Sequence, residues 1–263
     1  MHERAYEHGR LFFELYWREA WRDVVELGSM SVNGSLRDHS PTGARYMGLD
    51  WSAGPGVDLV VQPDAPLPLP DASADVVLSS SAFEHDPCFW QTFLELVRLL
   101  RPGGLLYLNV PSNNWFHRHP VDCWRFYPDA GAALAKWSCR SGLQVRLMES
   151  FVARPGPSGW ADFVAIFRRS GDDAAEPILR RGTLASRTEW HNGFDAESEG
   201  LLRHEAASFD MQARSELQAR CDALAQRAAA AEAELSAAYA AIEALKAQAV
   251  MPERTGRGAS QPE

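Results

Sequence analysis

Four short runs between residues 44 and 110, ARYMGLD, GVDLVV, ADVVLSS and GLLYLNV, are each rich in Val, Leu or Tyr and bounded by Gly, Pro, Asp or Ser. Such runs read as strands. Before the last of them lies DPCFWQTFLELVRLLRPGG, where Phe89, Phe93, Leu96, Val97 and Leu100 mark one helical face and the Pro-Gly-Gly ends it. Strands that alternate with helices require crossover connections, so the sheet is mostly parallel and covered on both faces. Upstream, Leu11, Leu15, Trp17 and Trp21 recur at helical spacing to about Arg22, and the strand run DVVELG follows. Downstream come a helix near 128–138 and two more strand runs, LQVRLME and ADFVAIF, separated by a Pro/Gly-rich loop. The sum is an α/β domain over residues 1–170, built on a Rossmann-like, doubly wound, seven-stranded sheet.

The remainder of the 263 residues differs. Residues 171–204 are charged, contain Gly and have no steady period, so they read as a linker with room for one short helix. From 205 to 250 the composition shifts abruptly, with 18 of 46 residues Ala. Leu217, Leu224, Ala231, Ala238 and Leu245 stand seven apart, and Cys221, Ala228, Leu235 and Ile242 follow the first four by four. That 4-3 spacing is a coiled-coil seam, and it predicts a homo-oligomer joined through residues 205–250. A solvated single helix or a partly disordered tail is the alternative, because Ala at seam positions buries little area. Residues 251–263 read as a disordered tail.

Charge narrows the partners. Through residue 170 there are 16 Lys and Arg against 19 Asp and Glu, net −3; beyond it 10 against 16, net −6. Neither part carries the basic footprint of a nucleic-acid binder. Cys88, Cys123, Cys139 and Cys221 show no close pairing of the zinc or redox kind. MHERAYEHGR lacks the apolar core of a signal peptide, and no run of about 18–20 apolar residues occurs. A cytoplasmic protein without a membrane span is expected.

In doubly wound sheets ligands bind beyond the C-terminal strand ends, where strand order reverses. After DVVELG stand Gly28 and Ser29, in a turn of small residues leading toward a helix whose first amides could receive a carboxylate or phosphate. Asp50 closes the next strand, 22 residues past Gly28, a spacing that suits an acidic ligand to ribose hydroxyls. Asp64 follows the third strand.

The stretches VVELGSMSVNGSLR, RYMGLD, PDAPLPLPDASADVVLSSSAFEH and LRPGGLLYLNVPS, in this order and spacing, resemble the class I S-adenosylmethionine-dependent methyltransferases of the methyltransferase type 11 group. The resemblance covers residues 10 to 170 and says nothing of the Ala-rich segment. It implies S-adenosylmethionine as cofactor, with Glu26, Gly28 and Ser29 at its methionine part. Asp50 with Trp51 would hold the ribose, Asp64 with Ala65 would flank the adenine, and Ser80 would lie beneath the methionine end. One departure stands out: Met30 and Val32 replace two glycines of the family's ExGxGxG loop, with Asn33-Gly34 as a displaced turn. A dinucleotide dehydrogenase would want GxGxxG after the first strand, which is absent.

A sulfonium already activates its methyl group, so the protein must align an acceptor and take up a proton. Histidine suits that task. His85 follows the fourth strand run, while His117 and His119 sit in SNNWFHRHPVDCWRFYP after the fifth. Trp124 and Phe126 offer stacking faces there, and Asp122 with Arg125 form either directional contacts or an internal brace. The HxH spacing of His117 and His119 is a poor metal signature and the family needs none, so no metal is expected. The resemblance, with its added helix, points to O-methylation of a saccharide or other small polar acceptor, as in surface polysaccharide synthesis. A non-catalytic methyltransferase-like module assembled through its coiled coil is the alternative.

Overall fold

The computed structural model describes residues 1–171, 184–195 and 200–249. Helix α1 (Glu3–Tyr16) precedes β1 (Asp23–Leu27), β2 (Arg45–Asp50), β3 (Leu59–Val60) and β4 (Ala74–Ser80). Then come α2 (Phe89–Leu99), β5 (Leu100–Pro111), α3 (Ala130–Arg140), β6 (Val145–Ala153), β7 (Asp162–Arg169), β8 (Trp190–Asp195) and α4 (Phe209–Ala249). The eight strands form one sheet in the order β3-β2-β1-β4-β5-β7-β6-β8. Pairings from β3 across to β5 are parallel, and those of β7 with β5 and β6, and of β6 with β8, are antiparallel. The fold is the expected Rossmann-like α/β sheet followed by a long helix, with one strand more than seven.

That eighth strand corrects the sequence reading of 171–204 as linker. Trp190–Asp195 pairs with β6, and its short polar run WHNGFD lacks the Val/Leu signal of the other strands. A single 3-10 turn, Leu184–Arg187, precedes it. The first helix also starts and stops earlier than the Leu11–Arg22 spacing predicts. Trp17 is already extended, while Trp17 and Trp21 still pack edge to face at 6.0 Å.

Period-two alternation gives the sheet two apolar faces. Leu106, Leu108 and Val110 of β5 join Phe93, Leu96 and Val97 of α2 and Leu134 of α3. Leu105 and Tyr107 of the same strand point the other way, into a cluster with Leu11, Phe12 and Phe13 of α1. Each such burial contributes roughly 1.5–3 kcal/mol. Among the described residues no helix is long and apolar enough to cross a membrane.

Beyond Asp210 the chain is a separate compact unit. Helix α4 has 41 residues and none of them is buried. Leu217, Leu224, Leu235, Ile242 and Leu245 of the predicted seam are all exposed. The predicted tail, 251–263, lies outside the described residues.

Candidate functional site

The chain winds outward from β1 to β3 on one side and from β4 to β5 on the other, so strand order reverses between β1 and β4. Beyond the C-terminal ends of these strands opens a cleft of about 870 Å³, within the usual range for small-molecule sites. Gly28, Asp50, Trp51, Ser80, His85, His117 and His119, all singled out in the sequence, line it. Glu26, Ser29, Asp64 and Ala65 are not among its lining residues.

Gly28 adopts φ +84, and a Cβ added there would stand 2.8 Å from the Ala82 Cβ, so only glycine makes this turn. The turn is fastened to β2. The Gly28 and Ser29 amides donate to the Leu49 carbonyl at 2.9 and 3.1 Å, and the Met30 amide donates to Asp50 Oδ2 at 3.1 Å. The Ser52 amide donates to Asp50 Oδ1 at 3.2 Å, so both carboxylate oxygens are oriented at the cleft wall. No α-helix follows the turn; a 3-10 turn, Leu36–His39, stands in its place. The amides expected to await a ligand are therefore used within the protein.

Glu26 lies behind this turn, 1% exposed, and accepts a hydrogen bond from the Tyr46 hydroxyl at 2.7 Å. Burial pushes its carboxyl up to about 7, against the opposing pull of Tyr46 and Arg37. Ser29 is buried against Gly48, where an added Cβ would stand 2.6 Å from the Ser29 hydroxyl. Met30 and Val32, in place of glycines, line the cleft themselves. Asp64, at φ 63, and Ala65 are exposed in the loop beyond β3, where Pro63 is the residue that reaches the cleft. Ser80, at the end of β4, is buried with its hydroxyl unpartnered.

The opposite wall is made by two loops stitched together. The Glu84 carbonyl accepts the Cys123 amide at 2.7 Å, and the Trp124 indole donates to the Asp86 carbonyl at 2.9 Å. His85 Nδ1 meets the Val121 carbonyl at 2.5 Å, which sets its proton on Nδ1 and leaves Nε2 an acceptor. The rings of His85 and His117 stand edge to face with centroids 4.9 Å apart, and His119 lies 6.2 Å from His85. Burial, with His117 nearby, lowers the His85 pKa despite its carbonyl partner. Asp122 and Arg125 form the brace: two contacts at 2.6 and 2.9 Å, with the His117 amide on Asp122 at 2.7 Å. Desolvation opposes the charge on Asp122, yet Arg125 and that amide bring it down to about 2.

Glu84 is paired with His85 among the candidates after the fourth strand, without a role of its own. It is 1% exposed, its Oε2 has no hydrogen-bond partner, and burial raises its carboxyl to about 8. His2, Trp160 and Asp162 were the residues that the sequence reading missed. His2 lines the cleft beside Trp160, and its Nε2 lies 2.8 Å from Asp162 Oδ1. Asp162 is 1% exposed and also meets Asn109 Nδ2 at 3.2 Å and His8 Nδ1 at 3.6 Å. Burial alone would raise the Asp162 carboxyl, but the two imidazoles hold it near 2. His2 Nδ1 is buried without a partner. With Nε2 toward Asp162, Nδ1 is the ring atom left for another partner. A cue existed in HERAYEH, where His2 and His8 lie six apart at a helix start, but their carboxylate partner is 160 residues away.

Residues 35–108 match the methyltransferase domain family. A protein of Mycolicibacterium smegmatis, described as a probable S-adenosylmethionine-dependent methyltransferase, is 34% identical over 123 residues, covering 41% of this chain and 46% of that protein. An uncharacterized methyltransferase of Mycobacteroides abscessus is 38% identical over 77 residues, 28% of each chain. The chain thus spans less than half the length of the curated relatives it matches. Among solved structures, a Burkholderia thailandensis 1,6-didemethyltoxoflavin-N1-methyltransferase with bound S-adenosylhomocysteine is 16% identical at TM-score 0.48, over 64% of this chain and 80% of that one.

Proposed function

We propose that this protein is an S-adenosylmethionine-dependent methyltransferase that O-methylates a saccharide or another small polar acceptor. The observation that carries the reading is one cleft at the switch point, with the Gly28 turn and Asp50 on one wall and a histidine cluster on the other. The matched methyltransferase domain and the methyltransferase relatives support the chemistry. The residues present fit the cofactor. Gly28 allows close backbone approach, the Asp50 carboxylate is aimed by two amides, and the buried Ser80 hydroxyl lacks a partner.

Bound there, S-adenosylmethionine supplies a methyl group already activated on sulfur. Asp50 accepts hydrogen bonds from the ribose hydroxyls, Trp51 covers a ring face, and Ser80 contacts the methionine end. Gly28 and Ser29 shape the turn above it, Glu26 backs that turn, and Asp64 with Ala65 flank the adenine from the rim. On the other wall His85, His117 and His119 orient the acceptor and remove its proton, and His2, braced by Asp162, adds a fourth candidate base. Trp160 lines the cleft, with Trp115 edge to face against it and Phe116 exposed nearby in sequence; aromatic faces of this kind suit the apolar side of a sugar ring.

Calorimetry with S-adenosylhomocysteine tests the cofactor reading. We expect one saturable site in the full chain; no heat at high micromolar ligand leaves the non-catalytic module as the account. Transfer of labelled methyl to hydroxyl-bearing acceptors tests the O-methylation, and label found only on nitrogen or carbon acceptors overturns it.

The exposed seam of α4 supports self-association through residues 205–250. Phe209 stacks on His191 at 3.9 Å and Asp210 accepts from Asn113 at 2.7 Å, so both serve the first unit. Deleting 211–263 is therefore expected to give a folded monomer, whereas the full chain runs as an oligomer in light scattering. A monomeric full chain refutes the coiled coil.

A further inference from the structure

We propose that Glu84, His85 and His117 hold one divalent transition-metal ion of the zinc class at the histidine wall of the cleft. Each residue offers one ligand atom, and the three atoms lie within 4.8 Å of one another. The proposal departs from the sequence expectation of no metal, which weighed His117, His119, an Asp and His85 as ligands but not Glu84. The carboxylate that completes the set comes from a loop more than thirty positions upstream.

Three features of the cluster point to a cation. Glu84 is 1% exposed, yet its Oε2 has no hydrogen-bond partner, and a buried carboxylate left half satisfied is costly. Its Oε1 lies 3.7 Å from His85 Nε2. Because the His85 proton is committed to the Val121 carbonyl through Nδ1, that gap sets an imidazole lone pair against a carboxyl oxygen, an arrangement that needs either a proton or a cation between them. A metal ion resolves the facing acceptors, and the carbonyl behind His85 is the usual outer support of a ligating imidazole. Finally, His117 Nδ1 lies 3.4 Å from Asp122 Oδ2, whose own position is fixed by Arg125, so Nε2 is the ring atom left to serve as a ligand. The same carboxylate can orient the His117 ring from outside the site.

The chemistry of the donors selects the ion. Two imidazoles and one carboxylate suit zinc and its neighbours, whereas magnesium and calcium prefer all-oxygen sets. A tetrahedral ion with bonds of about 2.1 Å places its ligand atoms roughly 3.4 Å apart, so side-chain rotations of about an ångström close this triangle. Glu84, His85 and His117 all line the cleft, which leaves a fourth position open toward it. That vacancy matches the pattern of a reactive rather than a structural zinc site. On the methyltransferase reading, on which this use of the site rests, the open position would take an acceptor hydroxyl and make it more acidic; with the lone pairs of His85 and His117 on the ion, proton removal falls to His119 or His2.

The test uses the full, tag-free chain, stripped with a chelator and titrated with Co²⁺ as the probe. We expect visible absorption bands of a four- or five-coordinate ion that saturate at one equivalent and are displaced by Zn²⁺. His117→Ala, at a half-exposed position, and Glu84→Gln should each weaken Co²⁺ binding by at least about tenfold, while the exposed His204→Ala leaves it unchanged. Absence of stoichiometric Co²⁺ binding, or equal affinity in the folded His117→Ala variant, overturns the site. Calorimetry with S-adenosylhomocysteine on the same samples separates the two claims. Cofactor heat without Co²⁺ binding removes the metal alone, and Co²⁺ binding without cofactor heat removes the methyltransferase reading while leaving the metal site intact.

Discussion

Asp50→Ala is expected to weaken S-adenosylhomocysteine binding by at least about 100-fold while leaving thermal stability nearly unchanged. The carboxylate ends β2 at the cleft wall, with one oxygen aimed by the Met30 amide and the other by the Ser52 amide. Each oxygen retains capacity for a ligand hydroxyl. Hydrogen bonds to a charged group contribute about 1.5–3 kcal/mol each, so losing two removes roughly 3–6 kcal/mol, or two to four decades of affinity. Partial exposure of the site places the result toward the lower end. The fold is spared, since Asp50 is not fully buried and Ser52 is open to solvent. Asp50→Asn should fall between, because an amide accepts through only one of its two atoms. Calorimetry on the two variants decides the matter, and an Asp50→Ala affinity within about threefold of the parent removes Asp50 from the ribose site.

The sheet was legible because β1, β2, β4, β5, β6 and β7 bury apolar side chains, and burial is what the Val- and Leu-rich runs encode. Strand β8 was not, since WHNGFD is held by its pairing with β6 and by Arg203 over the Trp190 ring, contacts made only after β6 exists. The site divides in the same way. Gly28 and Asp50 could be found because a turn and a strand end place them within one local unit. Ser29 and Glu26 share that unit yet sit beneath it, because alternation along β1 and the packing of Ser29 on Gly48 turn them away from the cleft. Asp64 and Ala65 lie on a loop whose path no periodicity specifies. His85, His117 and His119 were named separately, but their gathering depends on bonds from Glu84 and His85 to Cys123 and Val121, between loops joined through α2 and β5. The burial of Glu84, noted only as the partner of His85, was illegible for a related reason: in sequence an acid beside a histidine looks solvated, and only the closure of the second loop buries it.

The largest loss of stability is expected from Asp162→Ala. This residue begins β7, and its carboxylate is shared by His2 at the start of the chain, His8 on α1 and Asn109 on β5. It therefore ties the first helix to the centre of the sheet and fixes the ring of His2 at the cleft. Alanine there leaves the buried Asn109 and His8, and the half-buried His2, around an empty space, and breaking such a charged network costs about 3–5 kcal/mol. For a domain of this size that is a fall of about 10 °C in the unfolding midpoint. Asp162→Asn keeps the volume and should lose less, although its amide nitrogen would face that of Asn109. The pH dependence gives an independent check. The Asp162 carboxyl is held at about 2, below its ordinary 3.8, so the stability it contributes is present above pH 3.8 and is lost as pH falls toward 2. The gap between parent and Asp162→Ala midpoints should accordingly be widest near neutrality and narrow between pH 4 and 2. A gap that stays constant across that range would mean the carboxylate acts by filling space rather than by charge. The His2 ring would then be held at the cleft by its stacking on Trp160, and the base assigned to it would lose its orienting partner.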